Sequence, residues 1–187
     1  MILYAICVKC RHHQLSFDTM KSNEAQLLKK LVYEFNDGLG RYYRARLVAR
    51  DDEPLYEPET PEHAAQIGYM RHNLNSALHE LAHWCIAGWR RRQLVDYGYW
   101  YVPDGRTAAQ QAEFERVELR PQALEWCFQE ALGRAFEPSV DNLSNPVSPD
   151  ERLRFKARIQ KEKERMLNER GLPYRAKLLL AMLKSIV

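Results

Sequence analysis

The pentapeptide His79-Glu80-Leu81-Ala82-His83 constrains the fold of this chain more than any other feature. Its two histidines are four residues apart, so on an α-helix both imidazoles project from one face, close enough to hold a single metal ion. The flanking residues are mostly apolar, and two histidines and a glutamate buried among them would need partners. The sequence therefore predicts a buried helix that carries a metal site, with Ala77, Leu78, Leu81, Ala82, Cys85 and Ile86 as its apolar residues.

The metal site needs a further protein ligand, because two histidines leave a divalent ion under-coordinated. A carboxylate is the usual supplement for zinc and for non-haem iron. The next predicted helix offers Glu113, Glu115 and Glu118. We predict Glu118 as the ligand, with Glu115 as the alternative or as a group that orients a histidine. His72 is predicted two helical turns before His79 on the same face, about 10 Å away, and so near the mouth of the site.

The other metal-binding residue types carry weaker signals. Cys7 and Cys10, followed by His12 and His13, look like half of a zinc knuckle, but no second cysteine pair completes it. We therefore expect no metal site in that segment. Cys85 lies on the metal helix away from the histidine face, and we expect it to pack in the core.

Hydrophobic periodicity and the positions of proline and glycine predict an α+β fold, a mostly helical single domain with a small sheet. The length of 187 residues fits one ordinary domain. The first expected elements are a helix at 23–36, a strand at 42–48, and the metal helix from 64 or 69 to 87. There follow an aromatic-rich extended segment at 93–102, a helix from 108 that Pro121 kinks or divides before its end near 135, and two C-terminal helices separated at 171–173.

Composition excludes several classes of protein. No apolar run approaches the roughly eighteen residues that cross a membrane, and the first residues lack the basic flank of a secretory signal. Four cysteines in a chain of this length are ordinary usage for a reducing compartment. We therefore expect a cytoplasmic protein that does not bind membranes.

The C-terminal segment 150–187 is basic. From residue 151 onward it holds eleven Lys or Arg and four Glu, although the whole chain has a formal charge of only +3. Such a segment is either a solvated helix face or a surface that attracts an acidic partner. Few aromatic side chains are interleaved to stack bases, so we expect no direct nucleic-acid binding.

Several classes of protein could carry this metal site. With zinc, the two histidines and Glu118 would hold the ion while Glu80 removes a proton from the bound water, as in a peptidase. With iron(II), the same ligands would form the facial triad of an oxygenase. A zinc-helix protein associated with nucleic acid and a binding module with a closed, structural metal site are the remaining alternatives. Ligand spacing does not choose among them.

Several segments resemble the bacterial elongation factor P hydroxylase family. They are Asp51 to Tyr56, Ser76 to Gly88, Arg91 to Arg106, Phe114 to Trp126, and Asp141-Asn142-Leu143. The likeness is nearly continuous from about residue 23 to 143. Residues 1–21 have no counterpart and are predicted to be a variable N-terminal extension, with the hydroxylase domain at 22–187 and its basic C-terminal helices at 150–187.

The resemblance implies a metal- and oxygen-dependent enzyme with a zincin-like metal helix. Its substrate would be elongation factor P, hydroxylated on a lysine to which a β-lysyl group has been attached. It implies that His79, His83 and Glu118 bind a divalent metal, which we expect to be Fe(II), and that O2 is the co-substrate. Glu80 would shape the site or handle a proton. The enzyme is expected to be a monomer, and its basic segment to attract the acidic factor by electrostatic steering.

The aromatic-rich segment after the metal helix has two interpretations. Its rings could wall a groove for a lysyl side chain by cation–π contact, and its carboxylates could pair with the amine. The candidate substrate-binding residues are Asp96, Tyr97, Tyr99, Tyr101 and Asp104. Alternatively the segment is a strand whose alternate rings fill the core.

Overall fold

The structure is a computed structural model that describes residues 22–99, 105–140, 142 and 144–187. The helices are α1 at 22–37, α2 at Leu39–Tyr42, α3 at Leu74–Ile86, α4 at Ala108–Ala131, α5 at Pro149–Arg165 and α6 at Tyr174–Ser185. The strands are β1 at Ala45–Arg50, β2 at Tyr56–Glu57 and β3 at Ala65–Met70. Two 3₁₀ turns, Arg91–Gln93 and Val95–Gly98, follow α3, and a π-helical turn, Met166–Arg170, follows α5. The described chain is therefore mostly helical with a small sheet, as predicted.

The sheet has the strand order β1-β3-β2. Strands β1 and β3 are parallel, with Leu47 opposite Ile67, and β2 pairs antiparallel to β3. The side chains of Leu47 and Ile67 are buried, and α3 packs against β3. The sheet therefore supports one side of the helix that carries the histidine pair.

Helix α4 supports α3 from another side, and α6 packs against both helices. A single core joins the sheet and these helices. Burial of its apolar side chains stabilises the packing of α3. Its fully buried side chains include Leu31, Phe35, Leu47, Ile67, Leu74, Leu78, Leu81, Trp84, Leu124, Phe128, Phe155, Ile159, Leu179 and Leu183. None of the helices in the described ranges is both long and apolar enough to cross a membrane.

Side-chain caps set the beginnings of the main helices. The Asn73 side chain accepts a hydrogen bond from the Ser76 N–H at the start of α3. Thr107 and Gln110 form a capping box at the start of α4, where Thr107 was expected as the cap. Ser148 and Glu151 form the same motif at the start of α5. These caps satisfy N–H groups that the helices leave unpaired.

The predicted start of the metal helix, at residue 64 or 69, is wrong. Residues 65–70 form β3, and α3 begins only at Leu74. Gly68 disfavours a helix, and β1 supplies a complete ladder of partners for this short apolar run. The predicted strand at 42–48 is observed three residues later, because residues 39–42 form α2.

Two further predictions on secondary structure need correction. Pro121 does not divide its helix, one of the two alternatives predicted for it, since α4 continues through it from Ala108 to Ala131 and packs against α3, α5 and α6. Residues 93–99, expected to be extended, form 3₁₀ turns in which Asp96 and Tyr97 have left-handed backbone angles, φ 46° and 57°. Side-chain hydrogen bonds to Asp96 and from Arg91 hold this turn.

Candidate metal centre

Three side chains converge between α3 and α4. His79 and His83 project from α3, and Glu118 projects from α4. The Nε2 atoms of the two histidines are 3.1 Å apart, and each lies 3.3 Å from a different carboxylate oxygen of Glu118. All three donor atoms lie within 4.8 Å of one another. The predicted pair and the predicted carboxylate are thus brought together.

The donor set fits a divalent metal ion. Glu118 is only 1% exposed, and apart from the two imidazoles at 3.3 Å its carboxylate oxygens have no hydrogen-bond partner within the described residues. A buried carboxylate in that condition is costly unless a cation compensates it. Two imidazole nitrogens and one carboxylate also match the ligand preferences of zinc and iron(II). The three residues therefore form a site that a divalent cation would complete.

The charges of the cluster shift the pKa values of Glu118 and His79 in the direction opposite to burial. Burial alone would raise the pKa of Glu118, but the imidazoles of His83 and His79 hold it well below its ordinary value. Burial alone would lower the pKa of His79, but the carboxylates of Glu118 and Glu125 raise it well above 6.5. The carboxylate is therefore kept ionised, the state in which it binds a metal.

Glu125 was missed by the sequence analysis. Its Oε2 atom lies 3.0 Å from His79 Nδ1, and it is buried about two helical turns after Glu118 on α4. Such a carboxylate fixes the tautomer of a metal-binding histidine, leaving Nε2 free to act as ligand. A signal was present in the sequence: Glu118, Gln122, Glu125 and Gln129 repeat at helical spacing, and all four are buried.

Polar contacts continue from Glu125 to the surface. Gln129 Nε2 donates to Glu125 Oε1 at 3.4 Å and to Asn75 Oδ1 at 3.0 Å. Arg134 in turn donates from Nε to Gln129 Oε1 at 2.9 Å. This chain of hydrogen bonds fixes the orientation of Glu125 relative to both α3 and α4.

Other candidate residues lie elsewhere or take other roles. Glu115, the alternative ligand, forms an ion pair with Arg158 at 2.8 Å and does not join the histidines. The position predicted for His72 is wrong, because it lies in the turn before α3 and lines a different cavity, between α1 and the sheet. Cys85 is buried in the core, as predicted. The segment from Cys7 to His13 lies outside the described residues.

Glu80 lies between the two histidines in sequence, and burial raises the pKa of its carboxyl group. A carboxyl group with a raised pKa can exchange a proton near neutral pH more readily than an exposed one. The two roles of Glu80, shaping the site and handling a proton, stay predictions.

Aromatic rings cover His83. The Tyr97 ring is parallel to that imidazole with centroids 6.2 Å apart, and it stacks on Tyr56 at 4.1 Å. The Tyr99 ring meets His83 edge-on at 6.0 Å. Asp96 accepts a hydrogen bond from the Tyr56 N–H at 2.8 Å, which ties the turn to β2. Tyr101 and Asp104 lie outside the described residues.

Arginines hold the C-terminal end of α3. Arg175, from α6, donates to the carbonyls of Trp84 and Cys85 at 2.8 and 3.2 Å, and Arg92 donates to Ala87 O at 3.3 Å. Cations at this end of a helix bind the unpaired carbonyls and oppose the helix dipole. The metal helix is therefore fixed at both ends.

Comparison with known proteins identifies the family. A profile described as "Elongation factor P hydroxylase" matches residues 34–187. A protein of Haemophilus influenzae named "Elongation factor P lysine hydroxylase" is 43% identical over 155 residues, which cover 81% of this chain and 84% of the relative. Both matches span α3 and α4, the helices that carry the candidate metal centre. This chain belongs to the elongation factor P hydroxylase family.

Proposed function

We propose that this protein hydroxylates the β-lysylated lysine of elongation factor P in a metal- and oxygen-dependent reaction. Family membership and the name of the similar Haemophilus protein support the substrate and the reaction. The observation that carries the metal dependence is the buried cluster of His79, His83 and Glu118, in which the Glu118 oxygens face the two imidazoles and have no other hydrogen-bond partner among the described residues.

Iron(II) is the metal that we propose for this site. Two histidines and one carboxylate leave coordination positions open, whereas a structural zinc site is filled by four protein ligands. When bound, iron(II) would supply the activation of O2 that insertion of oxygen into a C–H bond requires. The assay must also contain a reductant, because only one of the two oxygen atoms enters the product.

The protein side chains would bind the metal, orient its ligands and exclude water from the centre. His79, His83 and Glu118 bind the metal, and Glu125 orients His79 through its Nδ1 atom. Tyr97 is 3% exposed and covers His83, which excludes water from that side. Glu80 would hold or release a proton at its carboxyl group, whose pKa burial has raised.

The substrate lysine would approach along the aromatic side of the centre. Tyr99 is half-buried and its ring lies near His83. The Arg91 guanidinium covers one face of this ring, so the substrate ammonium group would lie on the other face and bind by cation–π contact. Tyr101 and Asp104 remain candidates from the sequence alone. Asp96 already accepts a hydrogen bond from β2, so its proposed role is to hold Tyr97 and Tyr99 in place.

We also propose that the protein is a cytoplasmic monomer and that its partner is an acidic protein. Part of the basic charge in 150–187 is used within the fold, because Lys156, Arg158 and Lys163 of α5 pair with acidic residues outside it. The remaining exposed cations would speed association, and that rate should fall as salt rises.

The decisive experiment is peptide mass spectrometry of β-lysylated elongation factor P after incubation with protein, Fe(II), O2 and ascorbate. The modified peptide should gain the mass of one oxygen atom with wild-type protein and with Glu115→Gln, and not with His79→Ala. Glu115→Gln is the matched control because that carboxylate pairs with Arg158 away from the centre. An unchanged peptide mass with metal-loaded wild-type protein would overturn the proposal.

A zinc peptidase is the second candidate, favoured by one observation. Glu80 directly follows the first histidine on α3, the position from which zinc peptidases of this motif use a glutamate as general base. Cleavage of a protein substrate by the zinc-loaded form, with no oxygen added by the iron-loaded form, would favour this candidate.

A further inference from the structure

A pocket of about 400 Å³ opens at the C-terminal end of α3. Trp89, Arg90 and Arg91 line it from the segment after α3, and Tyr99 and Arg120 line it from the other side. We call these five residues the arginine pocket. Tyr99 belongs to its wall and also contacts His83 edge-on at 6.0 Å. The arginine pocket and the candidate metal centre therefore share one aromatic ring.

The positive charge of the arginine pocket is largely uncompensated. No acidic residue of the described chain lines it. The Arg91 guanidinium lies 4.3 Å over the Tyr99 ring and donates to the Tyr97 carbonyl, and Arg90 lies over Trp89. Arg120 is half exposed and forms an ion pair with Glu162 at 3.9 Å, whereas neither Arg90 nor Arg91 has an ion pair among the described residues.

Stabilisation of α3 does not account for this charge. The carbonyls at the end of α3 are already bound by Arg175 and Arg92, neither of which lines the pocket. Guanidinium groups that have no carboxylate partner and line a concave surface, as those of Arg90 and Arg91 do among the described residues, are suited to carboxylates, which they bind through paired hydrogen bonds. The arginine pocket is thus built for an anionic ligand.

The exposed Trp89 indicates that the ligand is a protein. Its side chain is 67% exposed, and tryptophan and arginine are the residue types that dominate the energy of protein interfaces. A strand of nucleic acid would need a series of exposed aromatic rings along a charged groove. Among the described residues that line this pocket, Trp89 is the single strongly exposed ring, since Tyr99 is half-buried.

We propose that the arginine pocket docks an acidic segment of the protein substrate and so presents the neighbouring lysine to the metal centre. The proposal rests on the function proposed above. Docking beside the wall formed by Tyr99 places a bound segment one ring away from His83. A lysyl side chain extended by its β-lysyl group would then reach past the Tyr99 ring toward His83, whose centroid is 6.0 Å from that of Tyr99, so docking and reaction would occur together.

The experiment measures binding separately from chemistry. The dissociation constant of β-lysylated elongation factor P is measured by titration calorimetry with the metal-loaded wild-type protein and the double variant Arg90→Glu, Arg120→Glu. The control is Lys29→Glu, Arg46→Glu, which makes the same charge change on residues lining the cavity between α1 and the sheet. Trp89→Ala is a third variant that keeps every charge.

We expect the arginine double variant to weaken binding by about tenfold or more, with a smaller dependence on salt, because reversed charges repel an acidic partner. Trp89→Ala should also weaken binding, and the control should stay within about twofold of wild type at physiological salt. In turnover assays the arginine double variant should raise KM more than it lowers kcat.

Several results would overturn the docking proposal. They are no binding to the wild type, equal weakening by the control variant, unchanged binding in both the arginine double variant and Trp89→Ala, or displacement of the factor by a single-stranded RNA oligonucleotide. Thermal melts show which variants are folded, and Trp89→Ala carries the test if the arginine variant is not. If the arginine double variant and Trp89→Ala lose binding but the wild type adds no oxygen to the factor, the docking proposal is supported and the proposed chemistry is overturned.

Discussion

The Nδ1 atom of His79 lies 3.0 Å from Oε2 of Glu125, a contact between two helices whose residues are 46 positions apart in sequence. The contact leaves the Nε2 atom of His79 facing His83 and Glu118. The packing of α4 on α3 therefore determines which nitrogen of His79 is available to a metal ion.

Replacing Glu125 with glutamine should lower metal affinity by about 10- to 100-fold, because an amide holds the His79 tautomer less firmly than a carboxylate does. Titration calorimetry with a divalent ion measures the change. Glu130→Gln is the control, since Glu130 is an exposed residue of α4 that pairs with Lys163. Equal affinities for the two variants would show that Glu125 does not orient the ligand.

Replacing Glu118 with alanine should reduce metal affinity by more than about a hundredfold, since it removes a direct ligand rather than an orienting group. Glu115→Ala should leave the affinity near that of wild type, because Glu115 pairs with Arg158. Metal content after dialysis, measured by atomic emission, compares the two variants. Retention of metal by Glu118→Ala would exclude this carboxylate as the third ligand.

The Glu80→Gln variant separates the two candidate enzyme classes. A peptidase should lose nearly all turnover, because the general base acts directly on the metal-bound water, whereas a hydroxylase should keep part of its activity. The measurement is turnover per bound metal ion, with metal content determined in the same sample. Complete loss of hydroxylation at full metal occupancy would assign Glu80 an essential role in oxygen chemistry.

The contribution of Tyr56 to the free energy of unfolding should decrease at alkaline pH. Burial raises its pKa from 10.0 to about 12, and its hydroxyl donates to Arg92 O at 3.0 Å. A raised folded-state pKa contributes stability below pH 10.0 that is lost as the pH rises through about 12. Tyr56→Phe should therefore cost about 1 kcal/mol at neutral pH, and less at a pH of about 11.

Urea unfolding of wild type and Tyr56→Phe at the two pH values tests this. The difference in unfolding free energy between them should shrink at the higher pH. Tyr33→Phe is the control, because Tyr33 is 68% exposed. A difference that stays constant would mean that the phenol of Tyr56 ionises as readily in the folded chain as in the unfolded one.

Features set by local spacing could be predicted from the sequence. The histidine pair depends only on the geometry of one helix, and Thr107 caps α4 through a side chain three residues from its partner. Glu118 was predicted from its position in a helix with apolar neighbours, and the structure places it against both histidines.

Features set by contacts between distant segments could not be predicted in this way. Residues 65–70 become a strand because β1 pairs with them, although their apolar character also suits a helix. The left-handed turn at Asp96 and Tyr97 depends on a hydrogen bond to Tyr56, forty residues earlier. Glu125 acquires its role only when α4 packs on α3, and the arginine pocket exists only where Arg120 meets the segment after α3.

The hydrogen bond between Arg175 and the end of α3 links residues that are 91 positions apart. During synthesis on the ribosome, α3 and its histidines therefore emerge well before the guanidinium that binds the last carbonyls of that helix. Until α6 has emerged and docked, the C-terminal end of α3 lacks this partner. The support of the metal helix is thus completed late in synthesis, and a nascent chain that stops short of α6 would carry all three proposed ligands on α3 and α4 without it.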